Sequence, residues 1–234
     1  MRMLKNAFVS KRCRILTLVL CLNSLLSGVG SSLGDDSTGV TKEWVKIGLM
    51  GDFTGPAAEG WIQIADGAKS FFEMANSAGG IHGRKVKYIF EDDRYSIPLA
   101  LSAFKKLVYK DKIFILQAAS GVGHTAAVIP LAEKEKMPLI AATGEKKFFV
   151  PARKYIFSPI PWYEDQAKLS FEYIFNEMKL KIPTIALMHP DTASGKDTRE
   201  AVRKLVKVYP TKKYKEVAFS LTALAEDICT HTTF

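Results

Sequence analysis

The stretch Val45–Asp93, VKIGLMGDFTGPAAEGWIQIADGAKSFFEMANSAGGIHGRKVKYIFEDD, decides the fold of this chain. It opens with an apolar run that predicts a strand, followed by a loop rich in glycine between residues 51 and 60. Apolar residues then recur at the spacing of one helix face, at Trp61, Ala65, Ala68, Phe72 and Ala75. The run Asn76–Gly80 ends the helix, and Val86–Phe90 predicts the next strand. This order predicts a right-handed βαβ unit in a parallel sheet.

Outward from this unit, short apolar strands continue to alternate with helices. Further helices are predicted from Ser96 and over Thr125–Lys136, and further strands over Lys112–Gln117, Pro138–Ala142 and Tyr155–Ser158. Buried parallel strands that alternate with helices are typical of a doubly wound α/β sheet. Residues 44–160 are therefore predicted to form one lobe that is complete or nearly so.

The segment Pro159–Tyr163, PIPWY, breaks the alternation and predicts an extended crossover into a second lobe over residues 161–234. Helices are predicted there over Asp165–Met178 and Asp197–Val208, and strands over Thr184–Met188 and Val217–Phe219. Two strands are few for an independent α/β core. The second lobe is therefore predicted to be incomplete, through a truncation or a break of the reading frame.

Positive charge is concentrated at the amino end of the chain. The 33 basic and 24 acidic residues give a net charge of +9, and residues 1–30 carry five bases and no acid. The remainder has 28 bases against 24 acids, and its lysines are dispersed. We expect no nucleic-acid partner, because a binding surface of that kind needs clustered bases.

Residues 1–30 have the layout of a secretory signal. A basic region to Arg14 precedes an apolar core from Ile15 to Leu26, and small residues follow around Gly30, where we expect cleavage. An uncleaved anchor is the alternative, but the apolar core is shorter than the roughly 20 residues that span a bilayer. Cys21 lies inside the core, which leaves lipidation open. Residues 31–43 are predicted to be a flexible leader, and Cys229 alone would remain in the exported chain, without a disulfide.

Three motifs carry a resemblance to a known family. They are Gly51–Pro56 after the first strand, Gly67-Ala68 in the helix, and Asn76–Arg84 before the second strand. Over about Val45–Ser220 the chain resembles the solute-binding receptors of ABC importers for branched-chain amino acids, which have the type I periplasmic binding fold. The resemblance implies an exported, periplasmic protein that captures a branched-chain amino acid or a related small amino acid or amide between two hinged lobes. It implies an ABC permease as the partner and the only route to membrane contact, no cofactor and no catalysis.

Ligands of open α/β sheets bind beyond the carboxyl ends of the strands, where helix N-termini present free N–H groups. The loops Gly51–Gly60, Ala118–Thr125 and Ala141–Gly144 occupy that place. The resemblance assigns ligand-carboxylate contacts to the second and third loops, at Ser120, Gly121, His124, Thr125, Ala141, Ala142 and Thr143. Trp61 and Tyr163 are candidates for packing on a ligand side chain. Turn, cap and core roles are the alternative for each of them.

Two features depart from the family pattern. Ser194 stands before Gly195 where the family often has an aromatic residue, which puts a typical aliphatic pocket in doubt. The acid that binds a ligand ammonium in the family is expected beyond Phe234. Asp191 is the nearby substitute, although a loop-capping role suits it better.

Two alternative functions remain open. The run Gly121–Ala126 matches G-x-G-x-x-A between a strand and a helix, and Glu145 follows at about the distance of a ribose-binding acid. This pattern favours an NAD-type oxidoreductase, although it follows the third strand rather than the first. The other alternative is a receptor fragment without function.

Other chemistry finds no support in the sequence. The four histidines, His82, His124, His189 and His231, lack metal-ligand spacing. The loop Gly51–Gly60 is no P-loop, and no G-x-S-x-G nucleophile motif is present. The acids of Glu91–Asp93 are predicted to cap the next loop or to line the rim of a cleft.

Overall fold

The computed structural model describes residues 38–220. The predicted signal peptide over 1–30, most of the predicted leader and the sequence after 220 lie outside the described residues. Within the described range the chain forms two parallel sheets, one of five strands and one of two. None of the helices in this range is long and apolar enough to cross a membrane.

The five-stranded sheet has the order β2-β1-β3-β4-β5, and all its pairings are parallel. Its strands are β1 Trp44–Gly51, β2 Lys85–Asp92, β3 Ile115–Gln117, β4 Leu139–Ile140 and β5 Ile156–Phe157. Its helices are α1 Ala58–Ser77, α2 Ile97–Lys105 and α3 Val122–Lys134. We call these elements the first lobe. The βαβ unit and the doubly wound α/β arrangement predicted from the sequence are confirmed.

Helices cover both faces of this sheet. Successive residues of a strand point to opposite faces, and in β1 both Leu49 and Met50 are buried. Leu49 packs with Trp61 and Ala65 of α1, whereas Met50 belongs to the larger cluster formed with α2 and α3, which includes Phe104. Because the sheet is buried on both faces, the sequences of its strands are continuous apolar runs.

The turn between α1 and β2 depends on its glycines and on Asn76. Gly80 has φ +81°, and a Cβ added there would lie 2.2 Å from the carbonyl oxygen of Arg84. The Asn76 side chain donates to the carbonyl of Val86 at 2.8 Å and accepts from its N–H at 2.7 Å. This run therefore ends the helix and also aligns the first residues of the edge strand.

Several element bounds differ from the predictions for local reasons. Helix α3 begins three residues before Thr125, because Gly121 is extended and its carbonyl accepts the Thr125 N–H at 2.9 Å. Strand β3 begins after Lys112, whose φ of +54° is left-handed and incompatible with a strand. The last strand is longer than predicted and begins at Lys213, because it pairs along its whole length.

We call the following elements the second lobe: α4 Tyr163–Glu172, β6 Thr184–Pro190, α5 Ala193–Leu205 and β7 Lys213–Phe219. Its core is a separate small cluster of Ala167, Phe171, Ala201 and Val202. The helices cover one face of the β6–β7 pair, while Met188 and Val217 on the strands are 67% and 50% exposed. Helix α5 begins before the predicted Asp197, because the Thr192 hydroxyl accepts the N–H of Gly195 at 3.3 Å.

Candidate functional site

The loops at the carboxyl ends of β1, β2, β3 and β4 meet at one edge of the five-stranded sheet, as a parallel arrangement requires. Residues with left-handed backbone lie at this edge, at Arg94 and Tyr95 after β2 and Ala118 after β3. Such conformations in non-glycine residues are costly and concentrate at functional loops. The candidate site is built on this edge.

Two carboxylates, fully buried Asp52 and partly buried Asp92, organise the loops. Asp52 accepts the N–H groups of Gly55 and Ala57 at 2.5 and 2.7 Å, which closes the turn after β1. Asp92 accepts the N–H of Phe53 at 2.9 Å and the hydroxyl of Thr54 at 2.5 Å. Asp92 also accepts the N–H of Arg94 at 3.1 Å, so the prediction that these acids cap the next loop is confirmed for Asp92, whereas Glu91 forms an ion pair with Lys106.

Asp93 fixes the predicted ligand residue Ser120. The Ser120 hydroxyl donates to one oxygen of Asp93, and the Ser120 N–H reaches the other at 3.4 Å. Asp93 also accepts the N–H of Tyr95 at 3.0 Å and is fully buried. A hydroxyl has a single proton to donate, so in this arrangement the Ser120 side chain has no proton left for a ligand carboxylate.

His124 and Tyr95 form an aromatic contact at the N-terminus of α3. Their ring centroids are 4.7 Å apart, and a Cβ added to Gly121 would lie 2.9 Å from the Tyr95 hydroxyl and 3.3 Å from His124 Nδ1. His124 is 4% exposed, and neither of its ring nitrogens has a hydrogen-bond partner among the described residues. Burial raises the pKa of the Tyr95 hydroxyl, and the nearby Tyr163 and Asp93 raise it further, so Tyr95 is a neutral donor.

The loop after β4 connects Thr143 to the second lobe. The Thr143 hydroxyl lies 3.3 Å from the Tyr163 hydroxyl and accepts the N–H of Glu145 at 3.3 Å. Ser158 donates to the Thr143 carbonyl at 3.1 Å. A Cβ on Gly144 would lie 2.7 Å from the carbonyl oxygen of Pro161, so only glycine allows the crossover to approach this closely.

A cavity of about 440 Å³ separates this edge from the second lobe. Its walls are Tyr95, Ile97, Pro98, Val122, Gly123 and His124 from the first lobe, and Asp191, Thr192 and Ala193 from the loop after β6. A smaller cavity of about 160 Å³ lies beside Tyr163, Gly144 and Glu145 and reaches α5. Both cavities are lined by residues of the two lobes.

The structure brings most of the predicted residues to this edge and separates one from it. Ser120, His124, Thr125, Ala141 and Thr143 are buried there, Gly121 and Tyr163 are partly exposed, and Ala142 is exposed. Trp61 lies instead in the α1–β1 core, where a Cβ on Gly51 would lie 2.6 Å from its ring. Tyr95 and Asp93 were not among the predicted ligand residues, because the order of the chain does not show that β3 and the loop after β2 become neighbours.

Two larger cavities, of about 560 and 550 Å³, lie elsewhere. One is lined by α1 and the edge strand β2, and the other lies at the amino ends of β3 and β4. Neither receives the loops from the carboxyl ends of the strands. We assign the site by topology rather than by size, because ligands of open α/β sheets bind at the carboxyl edge.

Comparison with known proteins identifies the family of this chain. Residues 44–226 match the family model described as "Periplasmic binding protein". An "Amino acid binding protein" of Pseudomonas aeruginosa is 31% identical over 165 residues, which are 68% of this chain and 42% of the relative. A "Leu/Ile/Val-binding protein homolog 3" of Brucella melitensis is 27% identical over 69% of this chain and 44% of the relative. The chain therefore spans less than half the length of these curated relatives.

Solved structures share the fold at low identity. The valine-bound branched-chain amino acid ABC transporter protein of Thermus thermophilus has a TM-score of 0.66 at 20% identity, over 82% of this chain and 51% of that one. The fatty acid ABC transporter substrate-binding protein of Thermomonospora curvata has a TM-score of 0.68 at 19% identity, with the same shares. These neighbours have different ligands, so the common fold does not specify one. The fold is that of the type I periplasmic binding proteins, and the chain belongs to the periplasmic binding protein family, a family of solute-binding receptors.

Proposed function

We propose that this chain is the exported substrate-binding component of an ABC importer, and that it captures a branched-chain amino acid or a related small amino acid or amide between its lobes. The observation that carries the proposal is the cavity between the carboxyl edge of the first sheet and the loop after β6. The names of these relatives support an amino acid as the ligand. An ABC permease is the partner that this function requires, and no chemical step is part of it.

Within the site we assign ligand contact to Gly121, Ala142, Thr143 and Tyr163. Gly121 precedes the first turn of α3, where N–H groups point outward and favour a carboxylate. Thr143 and Tyr163 offer two adjacent hydroxyls that can donate to the same group. His124 is a wall of the cavity of about 440 Å³, and Ser120, Thr125 and Ala141 lie buried behind this surface.

A dinucleotide-dependent oxidoreductase is not favoured. Glu145, the predicted ribose acid, caps a short turn by accepting the Lys147 N–H at 3.4 Å, and its Oε2 lies 3.3 Å from Lys147 Nζ. The G-x-G-x-x-A run lies at β3 rather than at the first strand of the sheet. The family match supports a receptor instead.

Thermal unfolding in the presence of candidate ligands tests the proposal. A ligand that binds only the folded protein raises the melting temperature by mass action, and at 100 times Kd the gain is about 2.7 kcal/mol. For a chain of this size we expect isoleucine, valine or leucine to raise the melting temperature by about 5 °C or more. A shift with NAD and none with any amino acid or amide would overturn the proposal.

A further inference from the structure

Two acidic side chains from different lobes meet beside the candidate site. Glu145 follows β4 in the first lobe and caps the short 3₁₀ turn Lys146–Phe148. Asp197 lies on α5 of the second lobe. The two carboxyl groups line the same cavity of about 160 Å³ and lie close enough for each to influence the protonation of the other.

One oxygen of each carboxyl group is buried without a hydrogen-bond donor among the described residues. Glu145 Oε2 and Asp197 Oδ2 are shielded from solvent, and no described residue donates a hydrogen bond to either of them. Lys147 Nζ approaches Glu145 Oε2 at 3.3 Å as an ion pair, but without the direction of a hydrogen bond. Two ionised carboxylates can only accept hydrogen bonds. The contact therefore requires that one of the two groups carries a proton, which it donates to the other.

The charged groups around the pair do not supply a cation that could take the place of this proton. The charged groups around the pair are Lys146, Lys147, Glu164, Glu200 and Lys204. Lys146 is paired with Glu164, and Glu200 adds a further negative charge beside Lys204. Lys147 is thus the one cation within 4.0 Å of the pair among the described residues, and it is 63% exposed.

The protonation behaviour of the two groups fits a shared proton. Burial raises the pKa of Asp197 to about 6, with a further increase from the hydrogen bond and the charge of Glu145. Burial also raises the pKa of Glu145, but Asp197 and Lys147 outweigh it and hold that pKa below its ordinary value. Asp197 is therefore the group that holds the proton, and Glu145 is the group that accepts the hydrogen bond.

We propose that the Glu145–Asp197 pair is a proton-dependent latch, which holds the lobes together while one proton is shared and releases them when both carboxyls are ionised. This inference rests on the proposed closure of the two lobes around a solute. The direction of the pH dependence follows from the raised pKa of Asp197. The attraction between the two carboxyl groups is present below about pH 6 and is lost as the pH rises through that value. Between pH 8 and pH 5 the ratio of closed to open molecules should rise by up to about tenfold.

Distances between spin labels on the two lobes test the latch. The labels are placed on the full chain by Lys105→Cys and Lys207→Cys, both exposed, with Cys13, Cys21 and Cys229 changed to serine. We expect a shorter mean distance at pH 5 than at pH 8. In Asp197→Asn the amide donates to Glu145 without a titrating proton, so this variant should stay closed at both pH values.

A control variant and a measurement with isoleucine distinguish a failure of the latch from a failure of the proposed function. Glu164→Gln alters an acid of the same cavity that is paired with Lys146, so it should keep the pH response of the unmodified pair. Equal distances at pH 5 and pH 8, or an unchanged pH response in Asp197→Asn, would overturn the latch. Closure with isoleucine but not with acid would leave the receptor function standing, and closure with acid alone would leave the latch standing without that ligand.

Discussion

At the scale of single residues, Asp52 and Asp93 show how the loops of the candidate site keep their shape. Each is fully buried at the end of a strand: Asp52 accepts two N–H groups of its own loop, and Asp93 accepts the Tyr95 N–H of its own loop and the hydroxyl of Ser120 from the loop after β3. A buried carboxylate whose oxygens accept hydrogen bonds can stabilise a loop. When one donor is lost, the unfavourable free energy of burying the charge is no longer offset. This cost makes Ser120 important for folding.

The Ser120→Ala substitution should destabilise the protein more than it changes ligand contact. It removes the hydroxyl that donates to buried Asp93, and a buried acceptor left short of a donor costs about 1–3 kcal/mol. Urea unfolding should show this loss in the free energy of unfolding. Ser70→Ala, at an exposed position in α1, is the matched control and should change it by less than about 0.5 kcal/mol.

A different result would reassign the Ser120 hydroxyl. If Ser120→Ala unfolds at the same urea concentration as the unmodified chain but no longer responds to isoleucine, the hydroxyl serves the ligand and not Asp93. The prediction from family resemblance would then be right in its simplest form.

At the scale of elements, glycines in similar sequence contexts have opposite roles. Gly67 lies in the middle of α1 with open space where its Cβ would be, and nothing lies within 4 Å. Gly195 lies in the first turn of α5, where a Cβ would come 1.9 Å from the carbonyl oxygen of Pro190. Gly67 destabilises its helix, whereas Gly195 allows α5 to start directly against β6.

We therefore predict opposite shifts for one substitution at two sites. Gly67→Ala should raise the stability by roughly 0.5–1 kcal/mol, because alanine favours the helix and meets no obstacle. Gly195→Ala should lower it, because α5 must move away from Pro190. Calorimetric melting temperatures check both, and a higher melting temperature for Gly195→Ala would contradict the described packing of the second lobe.

The order and type of the elements could be predicted from the sequence, but their ends could not. Apolar runs and helix spacing identify the βαβ unit, because these patterns reflect burial on the sheet. The start of α3 at Val122 depends on the extended backbone of Gly121, and the length of β7 depends on its pairing with β6. Neither is visible in local sequence, because both depend on geometry or on a distant strand.

The candidate site was predictable to a similar degree. The positions of the loops follow from the rule that parallel strands end at one edge, so Ser120 and Thr143 could be expected close to each other. Their partners could not, because Asp93 and Tyr163 reach them only after the chain has folded. The roles of the site residues remain predictions.

At the scale of the whole molecule, the proposed function depends on whether the two lobes close on a solute. The first lobe supplies the rigid edge, since its core clusters bury both faces of the sheet. The second lobe is smaller, and the faces of Met188 and Val217 on β6 and β7 are open. The loop after β6 nevertheless lines the cavity at the carboxyl edge of the first sheet. The proposed solute capture therefore involves residues of both lobes.

Calorimetric titration of the chain with isoleucine tests this account most directly. We expect saturable binding of one isoleucine per chain, weakened by up to about tenfold in Thr143→Ala, which removes one hydroxyl of the site. Lys69→Ala, beside the larger cavity of α1 and β2, should leave the affinity unchanged. Loss of binding in Lys69→Ala with full binding in Thr143→Ala, or the absence of saturable binding by any small amino acid, would contradict the account.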